Sequence, residues 1–389
     1  MKRARRILPV LLLLLLAAGF FLRADPAFLR DRRDAKQYPP EQFLADRLDR
    51  EAERVYLAAY DLSAQELEKL WTEVYNNRPD LFFVSASYEF STFNDRVLYV
   101  SPRYEVGLQR NDDARRRYQD ALQTAVSGVE EDWSDLEKAL YLHDWIVLHA
   151  AYDDTLAGNS AYDLLVSGTG VCQAYAKGYL ALLQQCGIPC RLVTSEEMMH
   201  AWVIVELDGS WYNVDPTHDD PTFDRLGYVQ HTYFLKSDAA LRDSHFGAES
   251  PIGCVSTAYD DASWNQVRSA FIPLDGTFYC IAGNRLCRWD GKGLTPLYTV
   301  SDRWYVSGDP NAYWDGCFSV LAAHGDGLLF NTPNAIMRYD PAAGRADPVY
   351  LYDGPGALYG FIAQDGTLTC QAADSPNEAG TQFEITLDL

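Results

Sequence analysis

Apolar positions recur every three or four residues in two runs, and each run opens on the same device. Ser63 stands three residues before Glu66, and Ser134 three before Glu137, the spacing at which serine and glutamate cap each other's end of a new helix. Leu67, Leu70, Trp71 and Val74 then share one helical face, and Asn76–Asn77–Arg78–Pro79 ends that helix. Leu136, Leu140, His143 and Val147 share a face of the second. Before the first box, residues 25–62 are charged with an interrupted helical pattern. Between the boxes, LFFVSASYEFSTFNDRVLYVSP (81–102) reads as aromatic-rich strands turning near Asn94–Asp95. A third helix is expected in GTGVCQAYAKGYLALLQQCG (168–187), with Thr169 as its cap and Gly170, Val171 and Cys172 in its first turn. Val171, Tyr175, Leu182 and Cys186 mark its buried side, and Gly187 before Ile188–Pro189 stops it. HAWVIVELDGSWYNVDPTHDDP (200–221) alternates on both sides of Asp208–Gly209, a two-residue hairpin turn.

After Pro251 the pattern shifts to short strands and turns. DGTFYCIAGNRLCRWDGKGLTPLY (275–298) parallels DGLLFNTPNAIMRYDPAAGRADPVY (326–350), with Arg288–Trp289–Asp290 against Arg338–Tyr339–Asp340. A third start follows at Asp365–Gly366. Units of this length suggest propeller-blade-like repeats, but three blades do not close a full propeller, so a partial all-β domain is expected. Trp289, Trp304, Tyr305, Tyr313, Trp314 and Tyr339 belong to its core or to a face for a polymer or protein partner. Four segments result: 1–24, an N-terminal α/β extension over 25–112, an α+β domain over 113–250, and the β repeats over 255–389.

Residues 1–24 open on MKRARR and continue into ILPVLLLLLLAAGFFL, the export pattern. The run reads as a signal peptide or an uncleaved anchor with its basic end inside, and the rest of the chain as extracytoplasmic. Any membrane contact is assigned to this segment alone. The net charge of −22 repels phosphate backbones and excludes nucleic acid as a partner. Eight cysteines in an exported chain suggest disulfides, but a working thiol at Cys172 leaves an odd number, so most read as buried small hydrophobes. Across a Gly283–Asn284 turn Cys280 falls opposite Cys287, Cα atoms about 5.5 Å apart, either as a disulfide or as packed thiols.

A thiol in a helix's first turn faces backbone N–H groups and the positive end of the dipole, which favour thiolate. The hairpin turn pairs Leu207 with Ser210, which sets His200 opposite Thr217 and Asp215 opposite Trp202. His200 and Asp215 are then diagonal neighbours on one sheet face, about 7–8 Å apart at the backbone. A carboxylate at that distance holds one imidazole nitrogen and leaves the other for a thiol. Cys172, His200 and Asp215 are therefore the candidate catalytic residues. His143 reads as a core histidine, and nothing in the spacing selects Asp144 or Asp153 as an acid. Asp219, Asp220 and Asp224 lack the pattern of a calcium loop and read as solvated loop acids. His218 reads as a surface residue or pocket wall. No cofactor or metal is assigned.

These two stretches, with the order cysteine at a helix start, histidine on a strand and aspartate on the next, resemble the transglutaminase-like superfamily of papain-type thiol enzymes. The likeness is closest over 161–221 and weaker from residue 63 and on to HTYFLKSD (231–238); the β repeats lie outside it. It implies Cys172 as nucleophile, His200 as base and Asp215 as its orienting partner. It also implies attack on protein or peptide amides through a thioester, ending in acyl transfer or in hydrolysis. Many bacterial relatives have asparagine where Val203 stands and tryptophan where His218 stands, changes that alter pocket polarity and spare the triad. The extracytoplasmic setting suggests cell-wall peptides as substrates. The rival reading is a surface binding protein that uses this fold and the repeats for recognition.

Overall fold

The computed structural model describes residues 25–221, 225–250, 252–307, 309–364 and 366–387. The N-terminal apolar run, Asp224 and Asp365 lie outside the described residues. Among those described, no helix is long and apolar enough to cross a membrane. The chain divides into two compact units, Met1–Arg116 and Arg117–Leu389.

In the first unit, helices α1 (Pro26–Asp34), α2 (Pro40–Asp49) and α3 (Ala64–Asn77) accompany strands β1 (Val55–Tyr56), β2 (Val84–Phe93) and β3 (Arg96–Tyr104). The Ser63–Glu66 capping box forms, and Leu67, Leu70, Trp71 and Val74 are buried as their spacing requires. β2 and β3 turn at Asn94 and Asp95, whose φ values of 50° and 59° lie in the left-handed region that Asn and Asp tolerate. The antiparallel sheet runs in the order β1-β3-β2. Beneath it Asp31 is fully buried, accepting from Arg47 Nε at 2.9 Å and the Tyr56 N–H at 3.0 Å.

The second unit begins within α4 (Asp112–Val126) and continues through α5 (Asp135–His149), β4 (Ala151–Tyr152), α6 (Ala161–Ser167), β5 (Thr169–Gly170) and α7 (Cys172–Gln185). Then come β6 (Cys190–Ser195), β7 (His200–Leu207), β8 (Ser210–Val214), and the short helices α8 (Pro216–Asp219) and α9 (Asp238–Leu241). Ser134 and Glu137 cap α5 reciprocally. The sheet order β6-β7-β8 is antiparallel, and the hairpin pairs Leu207 with Ser210 as its turn demands. α7 is more deeply seated than a one-sided stripe implies: Ala174 through Leu183 are all buried, because α5, α6, β6 and β7 pack around it. Gly178 permits the approach of α6; a Cβ there would lie 2.7 Å from Leu164 Cδ2. Its buried faces make α7 the core of this half, and its N-terminus is left at a cavity.

The C-terminal region of the same unit is built of antiparallel sheets. β9 (Ile272–Leu274), β10 (Thr277–Ala282), β11 (Arg285–Trp289) and β12 (Leu294–Thr299) form one meander. β13 (Tyr305–Val306) pairs with β14 (Asp309–Tyr313). β15 (Leu321–His324), β16 (Gly327–Thr332), β17 (Ala335–Asp340) and β18 (Arg345–Leu351) form a second meander, and β19 (Ala357–Gln364), β20 (Thr367–Ala373) and β21 (Thr381–Thr386) a third sheet. The first two match at the turn after their third strand. Asp290 Oδ1 accepts the N–H groups of Lys292 and Gly293, and Asp340 Oδ1 those of Ala342 and Ala343. Cys280 stands opposite Cys287, and both are buried free thiols. Trp289, Trp304 and Tyr339 are core residues, while Tyr305 and Tyr313 are exposed and pack ring on ring at 4.8 Å.

Candidate active site

Thr169 does not cap α7. Residues 169–170 pair in parallel with Ala151–Tyr152, and the Val171 N–H donates to the Gly158 carbonyl at 2.8 Å. That pairing holds Thr169 and Gly170 extended, so Val171 becomes the N-cap, without a side-chain bond, and Cys172 the first helical residue. Asp153 supports the same loop rather than any acid chemistry. Its Oδ1 takes the Thr155 hydroxyl and N–H, its Oδ2 takes the N–H groups of Ala157 and Gly158, and these bonds hold its pKa down at about 2.

His200 is the first residue of β7, and its Nε2 lies 2.7 Å from Asp215 Oδ2. The expected contact is therefore made, but not from a paired strand. β8 ends at Val214, because Pro216 cannot donate a ladder bond, and Asp215 becomes the N-cap of α8 instead. Its Oδ1 accepts from the N–H groups of Thr217 at 3.0 Å and His218 at 3.3 Å, which fixes the carboxylate while Oδ2 stays turned to His200.

With Nε2 held by Asp215, the other ring nitrogen remains for Cys172, whose Sγ lies 3.9 Å from the carbonyl oxygen of Met199, the residue before His200. Burial works to raise the thiol's pKa, but the imidazole and the backbone N–H groups of Ala201 and Gln173 outweigh it, and the net displacement is downward. Burial likewise works against a charged His200; its bonds to Asp215 and Cys172 overcome this and raise it to about 10. Asp215 is completely buried, yet the histidines around it hold it well below the carboxylate range. The other seven cysteines are all displaced upward by burial, Cys190, Cys254 and Cys370 to about 12. Cys172 alone combines partial exposure with a favoured thiolate.

Asp215 has further partners. His218 stacks on His200 with centroids 4.5 Å apart, forms part of the cavity wall, and brings Nδ1 to 3.1 Å from Asp215 Oδ2. His245 Nε2 approaches the same oxygen to 2.8 Å. No sequence signal marks His245; it lies thirty residues beyond Asp215 in RDSHFG, and only the fold returns it to the site.

Beneath α8 lies a second polar cluster. His143 is a core histidine, as its helical face implies, but it does not sit among apolar groups alone. Its Nδ1 is 3.0 Å from Asp144 Oδ1 and its Nε2 3.2 Å from Asp219 Oδ2. Asp144 also accepts from His231 Nε2 at 2.8 Å and the Phe271 N–H at 2.6 Å. Asp219 is thus not a solvated loop acid: it is fully buried, because α8 turns it inward onto His143 and the Tyr233 N–H. Asp220, half-buried, accepts from the Tyr175 hydroxyl at 2.5 Å.

Cys172, His200 and His218 open on a cavity of about 590 Å³. Tyr152, Asp154 and Asp220 line it from the helical side, and Gln371, Gly380 and Gln382 from the C-terminal sheets.

Residues 120–216 match the model of the transglutaminase-like superfamily. The chain is 28% identical to the kyphoscoliosis peptidase of Mus musculus over 143 residues, covering 30% of this chain and 22% of the mouse protein's length. Among solved structures it is similar to a TGase (14% identity, 42% of this chain and 50% of that one, TM-score 0.25). Another is a cysteine protease structure from Cytophaga hutchinsonii, described there as putative (18% identity, 36% and 64%, TM-score 0.23). The match is to a transglutaminase-like domain, and it spans residues 120–216 of the 389.

Proposed function

We propose that this protein is an exported thiol enzyme that cleaves or transfers protein and peptide amides through Cys172, His200 and Asp215. The reading rests on one arrangement: a helix-start cysteine whose thiol is displaced downward by the His200 imidazole, which a buried aspartate holds by Nε2. The Cys172 thiolate attacks the amide carbonyl, and N–H groups at the start of α7 receive the negative charge that develops on oxygen. His200, as imidazolium, gives its proton to the leaving nitrogen; the C–N bond breaks and a thioester remains. Neutral His200 then takes a proton from the incoming amine or water as it attacks, which restores the thiol and releases the product. Asp215 keeps the ring in the tautomer and orientation that both steps need.

The substrate class is peptide, cell-wall peptides foremost, with the N-terminal segment serving as export signal or anchor. The C-terminal sheets are read as blade-like units whose edge walls the cavity and positions substrate. An amide-mimicking thiol probe supplies the test. Wild type should be labelled at Cys172, Cys172→Ala not at all, and labelling by added amine-bearing peptide should follow. A wild-type protein inert to the probe would instead support a recognition scaffold.

A further inference from the structure

Three imidazole nitrogens converge on one carboxylate oxygen. His200 Nε2, His245 Nε2 and His218 Nδ1 lie 2.7, 2.8 and 3.1 Å from Asp215 Oδ2, and the four donor atoms all lie within 4.8 Å of one another. A base needs one imidazole and one carboxylate; the other two rings are surplus to that task. Their surroundings also aim ring nitrogens inward. Ser244 Oγ, which also reaches the Leu241 carbonyl at 3.2 Å, lies 3.0 Å from His245 Nδ1. With Nδ1 engaged there, Nε2 is the nitrogen that His245 turns to Asp215, where a metal that displaces its proton would find a lone pair.

We propose that His200, His218, His245 and Asp215 form a binding site for a divalent transition metal, Zn2+ foremost, and that the bound ion stops turnover at Cys172 by taking the lone pair His200 needs as a base. Three imidazoles and one carboxylate are a donor set that zinc takes in tetrahedral geometry. Bonds of about 2.0–2.1 Å place tetrahedral ligand atoms about 3.3 Å apart. The three contacts to Asp215 Oδ2, 2.7–3.1 Å, need to open by a few tenths of an ångström, and the imidazole nitrogens, within 4.8 Å of one another, need to settle around the ion at that spacing. The donors come from the start of β7, from α8 and its cap, and from the segment after α9, so the folded chain brings the set together. Silencing follows from which nitrogen the metal takes. A zinc on His200 Nε2 leaves N–H at the other nitrogen, which can still donate to sulfur but has no lone pair with which to accept a proton. The base is lost although the metal never touches the thiol. This second half rests on the thiol-enzyme reading above; the binding half does not.

The experiment is a titration of the folded protein with Zn2+ alone, with Co2+ as a spectroscopic reporter, alongside the rate of Cys172 alkylation. One equivalent should bind, and cobalt should give tetrahedral visible bands without a sulfur charge-transfer band. His245→Ala and His218→Ala should each weaken zinc by at least ~10-fold, and Cys172→Ala should not weaken it. His218 is partly exposed, so its variant tests the site even if His245→Ala fails to fold. Zinc should stop turnover of an activated acyl ester by the wild type, because the water that releases the acyl group finds no base, while alkylation of Cys172 continues; a chelator should restore turnover. Absence of stoichiometric binding overturns the site, as does binding that Cys172→Ala abolishes and His245→Ala retains. A thiol already inert in metal-free protein overturns the enzyme reading and the silencing, while the titration still decides the site.

Discussion

His143 is entirely buried between Asp144 and Asp219, and replacing it with glutamine tests whether that cluster holds a charge. Burial works to keep the imidazole neutral, but its bonds to the two carboxylates win and raise its pKa from 6.5 to about 9. A displacement of that size corresponds to on the order of 3 kcal/mol of stability at neutral pH. The same order is expected when one partner of a buried ion pair is removed, about 3–5 kcal/mol. The sign follows from the upward displacement. The contribution is fully present below the unfolded-state value near 6.5 and is lost as pH rises through about 9. His200, raised to about 10, acts in the same direction, so the informative quantity is the difference between wild type and His143→Gln. Urea unfolding followed by circular dichroism at about pH 6, 7.5 and 9.5 measures it. The wild type should exceed the variant by on the order of 3 kcal/mol at the lowest pH, and the gap should close towards the highest. A gap that stays constant across the window would falsify a protonated His143. Asp219 ends the helix that Asp215 begins, so the variant should also slow Cys172 alkylation.

Limiting iodoacetamide should label Cys172 ahead of the other seven cysteines. Its rate should fall only as pH drops through a value below the ordinary thiol range, because a lowered pKa preserves thiolate towards acid; equal labelling of Cys186 or Cys190 defeats the assignment. Asp215→Asn should leave the circular dichroism spectrum in place and cut acylation by at least ~100-fold, and unchanged acylation would mean that another group orients His200. In Gly360→Ala the new Cβ would meet the Leu226 carbonyl oxygen at 2.1 Å, so a loss of about 1–3 kcal/mol is expected in urea; a neutral result contradicts that close approach. A chain ending at residue 250 loses the Phe271 N–H that Asp144 accepts, and its unfolding midpoint should fall below that of the full chain.

Local signals carried the local structure. The Ser63–Glu66 and Ser134–Glu137 boxes mark helix starts because both partners lie within one turn of chain. The Asp208–Gly209 turn sets the register of β7 and β8 because a two-residue loop admits one pairing, and the register brings His200 and Asp215 near each other. The same logic placed Cys280 opposite Cys287, since the Gly283–Asn284 turn leaves no other partner. Where a segment's partner is distant in sequence, local reasoning had nothing to weigh. Thr169 looks like a cap until Ala151–Tyr152 claims its backbone, and Asp219 looks solvated until α8 turns it towards His143. His245 carries no mark at all in RDSHFG, and the cavity wall of Gln371, Gly380 and Gln382 comes from more than 150 residues beyond the thiol in sequence. A hydrogen bond's geometry is local, but which donors meet at Asp215 is settled only when the packing around α7 folds those distant segments back upon it.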